Sequence, residues 1–213
     1  MKGLVRNNFY SMENNVKMSF VMALFLSVAA LFIPSSAAVQ VIISTQLFIF
    51  IANTGTSLHE DEVSRWNKFE LTLPVEHREI IKAKYISFGM LFLFGMAMAG
   101  VTALVTCAVN GASNIQSVLY GYEFGLTLSA TTAGIMYPLV LKMGTEKSEL
   151  IMILSAALSV GVIVLVSVAL APLTGEMNMK HSLVGVISTA VALAIFVGSG
   201  FVSVKILKNK EFV

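Results

Sequence analysis

YISFGMLFLFGMAMAGVTALVTCAV, residues 85–109, runs for 25 positions without one charged side chain. At about 1.5 Å per helical residue, such a run crosses the roughly 30 Å hydrocarbon core of a bilayer, so the segment predicts a membrane-spanning helix. Comparable runs lie at 18–33, 37–58, 118–141, 150–172 and 182–204. Only 12% of the 213 residues are charged and the mean hydropathy is +0.83, whereas a soluble domain carries about 25% charge. None of the runs keeps the two-residue alternation of a membrane barrel, and backbone polar groups in hydrocarbon must pair internally. The expected fold is all-α: one polytopic membrane domain over residues 1–213 with six transmembrane helices.

The basic residues orient it. Lys2, Arg6 and Lys17 precede the first run, and Arg65, Lys68, Arg78, Lys82 and Lys84 lie between the second and third. Lys142 and Lys147 lie between the fourth and fifth, and Lys205, Lys208 and Lys210 follow the sixth. Lys180 is the one exception among 14 basic residues. Positive loops resist translocation, so both termini are expected in the cytoplasm. A net charge of +2 is accounted for by this topology and gives no footprint for nucleic acid. The lone Cys107 forms no internal disulfide, and no Cys/His spacing makes a metal site.

At the N-terminus, a basic leader, an apolar run and PSSAA imitate a cleavable secretory signal. The leader is long for that role, and Val5, Phe9, Met12 and Val16 recur at helical spacing beside Arg6, Asn7, Asn14 and Lys17. Residues 1–17 therefore predict a retained amphipathic helix at the cytoplasmic interface. Pro34-Ser35-Ser36 is then a tight external turn.

The polar residues concentrate between Thr56 and Lys84, which hold five of the 14 basic and six of the 12 acidic residues. Within this stretch RWNKFELTLPVEHREIIKAKY, residues 65–85, has Val63, Trp66 and Phe69 at three-residue steps beside Glu60-Asp61-Glu62. Acidic residues suit a helix N-terminus, so a short surface helix is expected to begin there. Thr72, Leu73 and Pro74 form an elbow, because proline and the residue before it do not continue a helix. From Val75 a second helix leads into the third span. A solvated loop that merely keeps charge out of the membrane is one reading of the segment. The only tryptophan of the chain and the proline-defined angle favour a docking element instead.

Asp61-Glu62, Trp66, Lys68-Phe69, Leu71-Thr72-Leu73-Pro74-Val75, Glu79-Ile80 and Ala83-Lys84-Tyr85 resemble the signature of the small six-helix permeases of type-2 ABC exporters. Tyr137-Pro138-Leu139, Lys142, Gly144 and Glu146-Lys147 resemble the same family's second cytoplasmic loop. Glu76 and His77 depart from the pattern, which commonly has a serine and then a basic residue there; a capping box with Glu79 is lost. The resemblance implies a permease half, of the peptide export or antimicrobial immunity type, in a bacterial cell membrane. It would pair with a second copy or a sister permease and with separate cytoplasmic ABC ATPase subunits. Those partners would bind ATP and Mg, and this chain would bind no cofactor. On this resemblance Trp66 and Phe69 anchor the ATPase, while Glu60, Asp61, Glu62, Arg65 and Lys68 tune the contact. ATPase closure would pull on a helix from Glu60 to Leu71, tilt spans two and three and switch the dimer between inward- and outward-open states. An exporter without a large external domain fits amphipathic peptides or lipid-like substrates.

No G-x-x-x-x-G-K-[ST] phosphate loop occurs, since Gly144-Thr145-Glu146-Lys147-Ser148 has the residue types without the spacing. HExxH and G-x-S-x-G are absent, and His59, His77 and His181 stand apart in loops. The chain is therefore expected to be no enzyme by itself. The alternatives are an ion- or proton-coupled secondary transporter, for which repeats and a midplane charge are missing, and a membrane scaffold, which leaves the Trp66 segment without a role.

Inside the spans, Gly121, Gly125, Ser129 and Ala133 recur every four residues and build a smooth face for intramolecular packing or a dimer seam. Glu123, Thr127 and Thr131 share another face. Glu123 is read as interfacial, between Tyr120 and Tyr122, or as part of a translocation path. Gln40, Thr45, Gln46 and Asn53 in the second span either join helices or, as with Gln46 and Asn53, line that path.

Overall fold

The computed structural model describes residues 2–33, 35–110, 115–174 and 181–209. Pro34 of the first turn, Lys180 and Lys210 lie outside the described residues. Among the described residues there are eight α-helices and no strand: α1 Lys2–Ser11, α2 Glu13–Phe32, α3 Ser36–Val63, α4 Trp66–Glu70, α5 His77–Asn110, α6 Ile115–Met143, α7 Ser148–Thr174 and α8 Ser182–Asn209. A 3-10 turn, Thr145–Lys147, joins α6 to α7. The six helices α2, α3, α5, α6, α7 and α8 are each long and apolar enough to cross a membrane.

Helices α3 and α6 form the centre, with α8, α7 and α5 packed around them and α2 against α3 and α5. The outer surface is unlike that of a soluble bundle, and small polar residues share the interior with an apolar core. Large apolar side chains such as Phe25, Leu104, Leu165 and Leu173 face outward, while Ser155, Ser159 and Ser167 of α7 and Thr127, Ser129 and Thr131 of α6 are buried. Lipid solvates leucine as well as a core does, so small residues that permit close backbone approach take the inside.

The smooth face of α6 packs within the chain. A Cβ at Gly125 would lie 2.6 Å from Leu47 Cδ1 and 2.8 Å from Ser44 Cα, and one at Gly121 would meet Gln40 and Ile43, all on α3. We expect Gly125→Ala to lower stability by about 1–3 kcal/mol in thermal unfolding of the solubilised chain. Gly198→Ala, where nothing lies within 4 Å, should be neutral or stabilising by up to about 1 kcal/mol.

Two boundaries differ from the sequence expectation. The N-terminal helix ends at Ser11, and Met12 (φ −116°, ψ 11°) interrupts it before α2 begins at Glu13. Residues 13–17 thus belong to the first long helix. The reason is packing: Met12 is 1% exposed, anchored in a cluster with Val16, Phe50, Leu91 and Ala133. The inward face of α1 carries Leu4 and Asn8, while Val5 and Phe9 are only half-buried.

The second boundary concerns Glu60, Asp61 and Glu62. They form the C-terminal turn of α3, and the short helix is only Trp66–Glu70. Acidic residues at a helix C-terminus oppose the macrodipole, so propensity argues for the other placement. Tertiary partners override it: Asp61 pairs with Lys84, and Glu62 accepts from Thr145. Arg65 closes α3 in the left-handed conformation (φ 58°, ψ 19°) with its N–H on the Glu62 carbonyl at 3.0 Å, a position glycine usually takes.

Candidate functional site

The two loop patches that stand out in the sequence meet at one end of the bundle. Glu62, at the end of α3, accepts a hydrogen bond from the Thr145 N–H at 3.0 Å and another from the Thr145 hydroxyl. It thereby caps the turn before α7. Deeper, Tyr85 of α5 packs edge-on against Tyr137 of α6 at 5.4 Å, and Phe88 does the same at 5.5 Å. The Tyr85 hydroxyl lies 2.7 Å from Ser199 Oγ of α8. Helices α3, α5, α6, α7 and α8 are thus tied together where the patches join.

A buried ionic centre lies between these ties and α4. Lys84 of α5 pairs with Asp61 of α3 and donates to Asn8 Oδ1 of α1 at 2.6 Å. Asn8 in turn donates to Ser87 Oγ at 3.1 Å. Asp61, Lys84 and Asn8 are all less than 5% exposed. Glu70, the last residue of α4, is 4% exposed and lines the same cavity. Charges at this depth persist only when paired, so the cluster fixes the relative positions of α1, α3 and α5.

Above this centre, α4 and the bend at Leu71–Val75 close the end of the bundle. Trp66, Leu71 and Leu73 pack on a core of Leu4, Leu58, Ile80, Tyr137 and Leu207. The bend is held by Thr72, whose N–H and hydroxyl both donate to the Phe69 carbonyl, at 2.9 and 2.8 Å. Pro74 and Thr72 are exposed and Leu73 is half-buried. α5 begins at His77, with Glu79 and Ile80 donating to the Glu76 carbonyl.

This geometry sorts the sequence candidates. Glu60, Arg65, Lys68 and Phe69 are exposed, Phe69 at 54%. Trp66 is half-buried, 5.3 Å ring to ring from Phe69, and its indole N–H is buried without an acceptor. Of the two expected anchors, Phe69 is the more open, because Trp66 is partly drawn down onto the core beside α1. Asp61 is likewise no surface residue, since its carboxylate is committed to Lys84. Lys142, Glu146 and Lys147 are exposed on the neighbouring loop, and Gly144 (φ 89°) is the turn that only glycine adopts easily.

The interior candidates do not line one path in this chain. Gln46 is fully buried: its amide donates to the Ala23 carbonyl at 2.8 Å and Ser27 Oγ at 3.0 Å, and accepts from Thr102 at 2.9 Å. It joins α2, α3 and α5. Thr127 and Thr131 are also fully buried. Thr127 donates to the Glu123 carbonyl at 2.7 Å and lies 3.2 Å from Thr189 of α8. Glu123 lies over Gly185 of α8, where any side chain would collide with its carboxylate. Asn53 alone of the five borders a cleft, of about 560 Å³, between α2, α3 and the start of α7. It also donates to Ser19 at 2.8 Å.

Lys84, Glu70 and Asn8 were not identifiable as a site from sequence. Lys84 looks like one more charge entering the third span, and Asn8 like one more polar residue of an amphipathic helix. The available signal was Lys84 itself, a cation followed by 25 uncharged residues and therefore in need of a buried partner. Among the described residues no group of His, Cys, Asp and Glu could hold a metal ion.

Comparison with known proteins gives one result. The family model described as ABC-2 family transporter protein matches residues 3–208. No curated protein and no solved structure matches the chain. A match from residue 3 to residue 208 reaches into all eight helices and takes in both loop patches, and the chain therefore belongs to the ABC-2 family of transporter proteins, as a permease subunit embedded in the membrane.

Proposed function

We propose that this permease is the membrane half of an ATP-driven exporter, and that α4 with the following bend is where its ABC ATPase partner docks. Family membership implies such a partner. The observation that carries the reading is mechanical. Exposed Phe69 sits on a five-residue helix joined by short connections to α3 and α5. The Asp61–Lys84 pair locks those two helices together directly beneath, and Glu62 passes the same displacement to α7 through Thr145. Movement imposed on α4 therefore reaches three spans.

The ATPase would supply ATP and Mg; this chain contributes the lever. In this reading α4 faces the cytoplasm, which the distribution of basic residues supports, and the membrane is a bacterial cell membrane. Helices α2, α7 and α8 each bury only 28% of their most apolar window, leaving broad faces for lipid and for a second copy or sister permease. An amphipathic peptide or lipid-like substrate fits the cleft at Asn53. Met18, Met22, Met152 and Phe48 offer it an adaptable apolar wall, with His59 and Glu149 at the polar end.

Affinity purification from native membranes tests the class. The expected result is co-elution of an ABC ATPase at stoichiometric yield. A well-folded chain that elutes without one contradicts the proposal and returns the secondary-transporter and scaffold readings.

A further inference from the structure

The ionic centre beneath α4 holds one cation and two buried carboxylates. Lys84 is committed to Asp61 and Asn8. Glu70 shares the same cavity of about 100 Å³ and is 4% exposed. The groups facing it are Asp61 and Glu62 from α3, Lys84 from α5 and Tyr137 from α6; α8 contributes only Leu207. Its own helix adds Asn67, while Lys68 and Arg65 point to solvent. With both buried carboxylates ionised, the centre carries an unbalanced negative charge, which a buried site resists.

We propose that this cavity is a proton-binding site whose occupancy sets how firmly α4 is seated: with Glu70 protonated the helix stays down on α3 and α5, and with Glu70 ionised it lifts. The proton comes from solvent and goes onto the Glu70 carboxylate, leaving Lys84 and Asp61 a neutral pair. Burial pushes the Glu70 carboxyl up to about 7; the Lys84 ammonium opposes this and the Asp61 charge adds to it. Since the seated state holds the proton more tightly than a free carboxylate near 4.5 does, seating is strongest in acid. It weakens as pH rises between about 4.5 and 7 and is level above that. The inference concerns the seat of α4 and stands whether or not an ATPase docks there.

The chain's one tryptophan, Trp66, lies on α4 itself, four residues before Glu70, and reports this directly. In the full chain in lipid nanodiscs, Trp66 emission is followed from about pH 4 to about 8.5. The expected result is a single transition lying between about 4.5 and 7 that disappears in Glu70→Gln, whose emission stays at the acid value throughout. His59→Gln/His77→Gln should keep the transition. A transition that survives in Glu70→Gln, one that is lost in the histidine variant, or a flat wild-type profile overturns the proposal. Should Glu70→Gln fail to fold, infrared difference spectra of the wild type decide it: a protonated-carboxyl band must be lost through the same pH range, and its absence at acid pH is contrary.

Discussion

Lys84→Met should be the most destabilising single change at this end of the molecule. It strands Asp61 as a buried unpaired carboxylate, frees Asn8 Oδ1 and removes the cation that lines the cavity with Glu70. Breaking one side of a buried pair costs about 3–5 kcal/mol, which for a chain of this size is a fall of roughly 6–20 °C in the unfolding midpoint. The companion variant Asp61→Leu/Lys84→Met removes both charges together. It should recover most of that loss, because replacing a whole buried pair by apolar side chains is often neutral or stabilising. Thermal unfolding of wild type, the single and the double variant checks this. Equal losses in single and double would mean that the lysine acts by packing and not by charge. The double variant also separates stability from coupling: it should keep the fold while loosening the lock between α3 and α5, so ATPase turnover no longer yields transport.

Much of the architecture is legible in the sequence because hydrocarbon imposes a simple length rule. Residues 85–109 carry no charge, and a helix containing them is present, extended at its start to His77. The elbow is legible for a similarly local reason, since Thr72-Leu73-Pro74 cannot continue a helix and the chain bends there. What local rules miss is which face of each helix turns inward. Helices α2 and α8 are apolar nearly all round, so periodicity carries no signal, and most of their buried residues are small, serines and alanines above all. The ionic centre is missed because its partners are 23 and 76 positions apart. Glu60-Asp61-Glu62 misleads for a related reason. The dipole rule, worth about 0.3–1 kcal/mol, assigns them to a helix start, but the Lys84 pair and the Thr145 cap are stronger and hold them at a helix end.

Phe69→Glu should have the largest effect on assembly. Phe69 is the one aromatic side chain of α4 that is open to solvent, so its removal perturbs little of the permease core. A central aromatic anchor in an interface is worth on the order of 2 kcal/mol or more, about thirtyfold in affinity, and a carboxylate in its place adds the penalty of burying an unpaired charge. Trp66→Phe, by contrast, keeps the packing on Leu4 and Leu58 while deleting an indole N–H that has no acceptor, and should leave assembly unchanged. The decisive measurement is the affinity of the purified partner ATPase for nanodisc-embedded wild type, Phe69→Glu and Trp66→Phe. Docking at α4 predicts a loss of thirtyfold or more in Phe69→Glu alone, with unfolding midpoints preserved; an ATPase that binds Phe69→Glu as tightly as wild type contradicts it.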